Sequence, residues 1–204
     1  VNNIVIAGIG TDVGKTIASA IIVERLGYAY WKPIQTGLDS DTQTVRHLVS
    51  NPDVSYFKER FSLKMPASPH IAAQKEQVNI SIQDLVLPSS SHNLLIELAG
   101  GLMVPINSNG DTFLDVMNHW NAEVILVSKY YLGSINHTLL SILALKHYGI
   151  PIKGIVYNGQ QMEGTKEIIQ SICNLPILIE IENEVEFTKE KIRDYSRKIT
   201  WNTI

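Results

Sequence analysis

The sequence predicts an α/β fold: a parallel sheet with helices on both faces. Three observations carry this prediction. Short apolar, β-branched runs alternate with amphipathic segments along almost the whole chain. The spacers between them are short, which suits right-handed crossovers between parallel strands. A glycine-rich stretch also joins the first apolar run to the first amphipathic one.

Taken in order, residues 3–7 read as a strand buried on both faces, and 16–26 as a helix with an apolar stripe. A strand at 28–31 and a helix at 41–50 follow. The stretch 54–77 has a weak period and contains Pro66 and Pro69, so it reads as loop with a short helix. A helix is expected at 80–87 and a strand at 93–98. The alternation then repeats: helix 112–120, strand 123–128, helix 135–148, strand 152–157, helix 164–173, strand 176–181 and helix 188–199. No linker, repeat or low-complexity tract interrupts it, so one domain over 1–204 is expected.

Composition narrows the partners. Hydrophobic residues make up 45 % of the 204 and charged residues 18 %, enough apolar material for a core and too little charge for disorder. Seventeen Lys and Arg against twenty Asp and Glu leave a net charge of −3. A weakly acidic chain without a basic run does not attract nucleic acid or an anionic membrane surface, so small-molecule partners are favoured. Cys173 is the single cysteine and has no partner for an intramolecular disulfide. No apolar run approaches the roughly 20 residues of a membrane span, and the apolar start at 4–7 is too short for a secretory segment. A cytoplasmic protein is expected.

Open parallel sheets bind ligands outside the carboxyl ends of their strands, so the residues after each strand are the ones to read. Gly8-Ile9-Gly10-Thr11-Asp12-Val13-Gly14-Lys15-Thr16 follows the first strand and opens the first helix, the context of a P-loop. Its backbone N–H groups and the helix N-terminus would cradle phosphate. Lys15 would reach the β- and γ-phosphates, and the Thr16 hydroxyl would bind magnesium. The loop is one residue longer than the common form, since Ile9 stands where its first glycine is expected. Glu97 ends an apolar strand, where an unpaired charge is costly, and is therefore a candidate metal ligand. Asp39 and Asp41 could each serve as a further ligand or as a helix N-cap, and spacing does not choose between them. Lys32, fixed before Pro33, is a candidate cation at a strand end. Asn158 offers both a donor and an acceptor to a base edge, though Asn-Gly is also a common turn. Residues 132–136 run into a helix whose free N–H groups suit a carboxylate.

Further segments carry a resemblance. Lys32-Pro33-Ile34-Gln35-Thr36-Gly37, Ser68-Pro69-His70, Glu97-Leu98-Ala99-Gly100-Gly101 and Leu132-Gly133-Ser134-Ile135-Asn136-His137 occur in that order after the loop. Together they resemble the dethiobiotin synthetase family, whose loop G-T-D-T-x-V-G-K-T has the same length. The resemblance implies a P-loop NTPase-like sheet and ATP- and Mg2+-dependent conversion of 7,8-diaminopelargonate and carbon dioxide to dethiobiotin. It assigns catalysis to Lys32, Lys15 and Thr11, and the metal to Thr16, Asp41 and Glu97. The diamine falls to Thr36 and Asp12, and its carboxylate to Leu132, Gly133, Ser134, Ile135 and Asn136 of a partner subunit, which implies a homodimer with composite sites. ATP falls to Asp12, Val13, Gly14, Lys15, Thr16 and Ile17, with Asp41, Glu97, Leu98, Ala99 and Gly100. The base falls to Asn158, Gly159, Ile181, Glu182 and Asn183. Ile9 and Gly10 stand where the family has Thr and Asp, Asp12 where Glu is more usual, and Leu98 where a glycine would give phosphate access to the backbone. The competing readings are a P-loop small-molecule kinase or ligase, and a partner-binding ATPase switch.

Overall fold

The computed structural model describes residues 3–200; the outermost residues of the expected 1–204 domain lie outside that range. Seven strands form one parallel sheet in the order β4-β2-β6-β1-β7-β8-β9. They are β1 (Ile4–Gly8), β2 (Ala29–Trp31), β4 (Tyr56–Phe57), β6 (Leu94–Gly101), β7 (Glu123–Lys129), β8 (Ile152–Asn158) and β9 (Ile177–Ile181). The helices are α1 (Lys15–Leu26), α2 (Asp41–Leu48), α3 (Pro69–Lys75), α4 (Phe113–Trp120), α5 (Ser134–His147), α6 (Thr165–Cys173) and α7 (Lys189–Lys198). Among the described residues no helix is long and apolar enough to cross a membrane.

Strand periodicity divides the core into two layers. Val5, Ala7, Leu94, Ile96 and Leu98 point to one layer, which also holds Phe113 and Trp120 of α4 and Ile142 of α5. Ile4, Ile6 and Leu95 point to the other, with Ile21 of α1, Val45 of α2 and Ile192 of α7. Alternation therefore puts Glu97 on the α1 side of β6 and Leu98 on the opposite side. β1 sits between β6 and β7, and the chain leaves it over α1 toward β2, so the loop after β1 opens at a switch point of the sheet.

Three local expectations change. Residues 80–87 form only one 3₁₀ turn, Ile82–Asp84. The Ser81 hydroxyl and backbone N–H both donate to Asp84 Oδ2, at 2.7 and 3.1 Å, closing the turn locally. Pro88 then bars extension, and so short a helix does not repay its nucleation. The stretch 54–77 contains strands as well as its short helix: β4, and β5 (Phe61–Leu63), which pairs in parallel with β3 (Ile34–Thr36). Residues 34–36, where no strand is expected from the sequence, thus belong to a two-stranded side sheet. Strands of two or three residues are too short to show a period in sequence.

Candidate active site

The loop after β1 wraps the N-terminus of α1. Gly14 caps the helix in the left-handed region, with φ 95°, and a Cβ there would strike the Asn158 side-chain amide. Glycine is thus required for conformation and for space. Asn158, ending β8, donates from Nδ2 to the Val13 carbonyl at 2.9 Å and so ties the loop to the neighbouring strand. Asp12 also has positive φ (57°), and its carbonyl accepts from Lys129 Nζ at 3.2 Å.

Thr11, Asp12, Gly14, Lys15 and Thr16 line a cleft of about 760 Å³ together with Lys32, Gln35, Thr36, Asp39, Asp41, Lys64, Glu97, Ala99 and Gly100. The residues named from the loop, the strand ends and the Lys32 and Glu97 segments are therefore brought together. Lys15 is 7 % exposed and turns its Nζ back to the Gly10 carbonyl at 2.9 Å. Burial lowers its pKa to about 8; Glu97 opposes that shift and Lys32 adds to it. Lys32 is 4 % exposed, and its Nζ contacts both Asp41 Oδ2 and Glu97 Oε1. Burial alone would lower this ammonium's pKa, but Glu97 and then Asp41 outweigh it and hold the pKa above the ordinary lysine value.

The Lys15 shift sets a pH dependence. Above about pH 8 the free loop loses its ammonium, and bound phosphate restores it, so nucleotide affinity falls as pH rises through that value. Calorimetry of ADP binding in buffers of different protonation enthalpy is expected to show uptake of more than half a proton at about pH 8.5, and none at about pH 7. Equal proton counts at the two pH values would contradict the shift.

Glu97 is fully buried and accepts four hydrogen bonds. Oε1 receives Thr16 Oγ1 at 2.9 Å and Lys32 Nζ at 3.1 Å; Oε2 receives Ser19 Oγ at 2.7 Å and the Tyr30 hydroxyl at 2.9 Å. Thr16 Oγ1 also lies 3.0 Å from Asp41 Oδ1. Octahedral magnesium with oxygens at about 2.0–2.1 Å places adjacent ligands roughly 3 Å apart, so the spacings from Thr16 fit a magnesium ligand set. Among the described residues no group of three or more His, Cys, Asp or Glu is placed to hold a metal. A magnesium ion here would therefore draw on a hydroxyl and two carboxylates, with its remaining positions falling to phosphate and water. Asp41 is placed by Gln35, whose Oε1 accepts the Asp41 backbone N–H at 3.1 Å. Ser40 caps α2 by accepting from the Gln43 N–H. The geometry thus separates the two aspartates: Asp41 meets Thr16 and Lys32, while Asp39 stays on the rim.

A second cavity of about 490 Å³ is lined by Gly159, Gln160, Gln161, Glu180, Ile181, Glu182 and Asn183. A third, of about 470 Å³, is an apolar groove between Ile9, Met103, Val104, His137 and Leu140. Thr11 lines both this groove and the phosphate cleft.

The other residues that the resemblance names lie away from the cleft surface. The Leu98 and Val13 side chains lie in the core, so only their backbone can face a nucleotide. Leu98 in place of glycine fills the layer opposite Glu97 and does not line the 760 Å³ cleft. Ile181 is buried, and its carbonyl already accepts the Gly159 N–H at 2.8 Å. Ile17 packs partly against the α1-side core. Leu132, Gly133, Ser134, Ile135 and Asn136 do not line the 760 Å³ cleft of their own chain. Ser134 is buried, with its carbonyl holding Thr138 Oγ1 at 2.7 Å, while Leu132 is 94 % exposed. Sequence reasoning missed Ser19, Tyr30, Gln35 and Lys64. Ser19 stands three residues after Thr16 on α1, and Tyr30 two before Lys32, so both share the face of a residue already singled out. Lys64 follows β5, a strand not visible in the sequence.

Residues 2–191 match a family described as AAA domain. The chain is 44 % identical over 195 residues to the ATP-dependent dethiobiotin synthetase BioD of Christiangramia forsetii, covering 95 % of this chain and 93 % of that one. To the protein of the same name from Cytophaga hutchinsonii it is 42 % identical over 196 residues, covering 95 % of each. Among solved structures, a ParA family ATPase from Chlorobium tepidum matches with TM-score 0.61 at 13 % identity, over 97 % of this chain and 99 % of that one. The septum site-determining protein MinD of Pyrococcus horikoshii, complexed with Mg-ADP, gives 0.57 at 15 %, over 97 % and 94 %. At such identities the structural likeness speaks for the fold alone, a P-loop α/β sheet.

Proposed function

Since the chain belongs to the ATP-dependent dethiobiotin synthetase family and is a ligase of biotin biosynthesis, we propose how its 760 Å³ cleft forms the ureido ring. One amine of 7,8-diaminopelargonate adds to carbon dioxide and loses a proton, giving a carbamate. A carbamate oxygen attacks the γ-phosphorus of ATP and ADP leaves, so the carboxyl carbon now carries phosphate as a carbamic-phosphoric anhydride. The second amine attacks that carbon, phosphate departs with the bonding pair, and a proton is lost as the ring closes. Carbamate and γ-phosphoryl are both anionic, so the chemistry depends on neutralising them together.

The observation that carries this reading is the position of Lys32: a buried ammonium beside the loop lysine, at the carboxylates that would hold the metal. Lys32 bridges carbamate and γ-phosphoryl oxygens, while Lys15 and the loop N–H groups hold the β- and γ-phosphates. Thr11 and Thr36 donate to the carbamate or its amine, and Asp12 faces the diamine from the exposed side of the loop. Thr16, Asp41 and Glu97 hold Mg2+, which when bound neutralises phosphate charge. Asn158, with its Oδ1 and second N–H directed to adenine, works with Gly159, Glu182 and Asn183 along the 490 Å³ cavity.

The alkyl chain of the diamine suits the apolar groove that Thr11 joins to the phosphate cleft. Leu132, Ile135, Leu140 and Leu143 around α5 are exposed large hydrophobics, as is Met103 on the groove. Such a patch supports a homodimer in which residues 132–136 of a second copy take the substrate carboxylate. The protein acts on these small molecules in the cytoplasm as one P-loop domain. ADP release is expected to require diamine and bicarbonate together, rising at least about tenfold over ATP alone. Equal release without them would favour a nucleotide switch.

A further inference from the structure

We propose that Ser19 and Tyr30 are positioning residues that lock Glu97 into one-oxygen coordination and thereby set the preference of the site for Mg2+ over Ca2+. The inference rests on Glu97 being a metal ligand. Both residues donate to Oε2, at 2.7 and 2.9 Å, and neither touches Oε1. Oε1 alone faces Thr16 and Lys32.

The surroundings make this arrangement rigid. Tyr30 is fully buried in the α1-side core, and Ser19 is fully buried on α1. Its aromatic ring packs against Tyr56, with centroids 6.3 Å apart, which fixes the direction of the hydroxyl. A phenylalanine would fill the same space, so the hydroxyl contributes the hydrogen bond and little packing. With Oε2 engaged by two fixed donors, rotating the carboxylate to offer both oxygens would break both bonds without water to replace them.

The consequence is metal selectivity. Magnesium keeps strict octahedral geometry with single-oxygen ligands, whereas calcium accepts longer distances and two-oxygen carboxylates. A carboxylate held to one oxygen suits the first and denies the second its usual mode.

The test is calorimetric ADP binding to the full chain in the presence of Mg2+, Ca2+ or EDTA, comparing the parent with Y30F, S19A and E97Q. In Y30F and in S19A, the Mg2+-to-Ca2+ ratio of metal-dependent affinity is expected to fall about tenfold, the scale of effect for groups that orient a metal ligand. A merely structural role would lower the melting temperature and leave this ratio unchanged. An unchanged ratio in both variants, with E97Q altered, would overturn the proposal and leave Glu97 as a ligand. If E97Q also bound ADP with the parent's metal dependence, the metal role of Glu97 would fall and the proposal with it. S19A keeps the test decisive if Y30F does not fold.

Discussion

Lys32→Ala lowers turnover by about 10³-fold, roughly 4 kcal/mol of transition-state stabilisation, while ATP affinity stays within a few-fold of the parent. On the proposed arrangement Lys15 and the loop N–H groups carry most of the phosphate contact and remain in the variant, so nucleotide binding is expected to survive. What is lost is the buried ammonium that contacts both Asp41 and Glu97 and is held charged by them. A second effect has the opposite sign. Removing the ammonium leaves Asp41 and Glu97 without their cation, so less magnesium should suffice for tight nucleotide binding. Steady-state kinetics and calorimetry check the two halves separately. Turnover close to the parent's would remove Lys32 from the chemistry.

Glu97→Gln is expected to lower magnesium-supported turnover by about 10²-fold and raise the magnesium requirement. The substitution keeps shape and removes charge, but the four donors around the carboxylate make it more disruptive than an exposed Glu→Gln change. An amide has one oxygen and an NH2 group, so the Ser19 and Tyr30 hydroxyls that face the NH2 must turn to accept, and charge-assisted bonds become neutral ones, at a cost of about 1 kcal/mol in stability. Lys32 also loses its stronger counter-charge, and its pKa falls. A magnesium titration at saturating ATP, with a thermal melt alongside, separates the ligand effect from the loss of stability. Unchanged magnesium dependence would make Glu97 a structural carboxylate.

The legible parts of this site were those whose chemistry conflicts with burial or with ordinary turns. The phosphate loop could be read because its glycines and lysine lie between an apolar run and an amphipathic one. Glu97 could be read because a charge directly after a buried apolar run needs a partner, although β6 continues past it to Gly101. Spacing alone does not choose between Asp39 and Asp41, because both suit a helix N-terminus; the family resemblance names Asp41, and it is Asp41 that contacts with Gln35 and the Thr16 hydroxyl from distant segments bring to Glu97. Tyr30 was hidden as an ordinary core aromatic, since nothing local marks a hydroxyl that meets a carboxylate 67 positions away. The direction of the Leu98 side chain is a matter of strand register. Glu97 faces the α1 side, and alternation sends Leu98 into the opposite layer. The side sheet of β3 and β5, and with it Lys64 on the rim of the cleft, escaped because three-residue strands carry no period.

The most direct measurement supplies 14C-bicarbonate with the vicinal diamine, Mg2+ and ATP, and follows the label. The expected result is radioactivity in an acid-stable cyclic urea, formed mole for mole with ADP and phosphate. If the folded protein binds and cleaves ATP under these conditions while no label enters a ring, the joining of carbamate and γ-phosphoryl at Lys32 is contradicted.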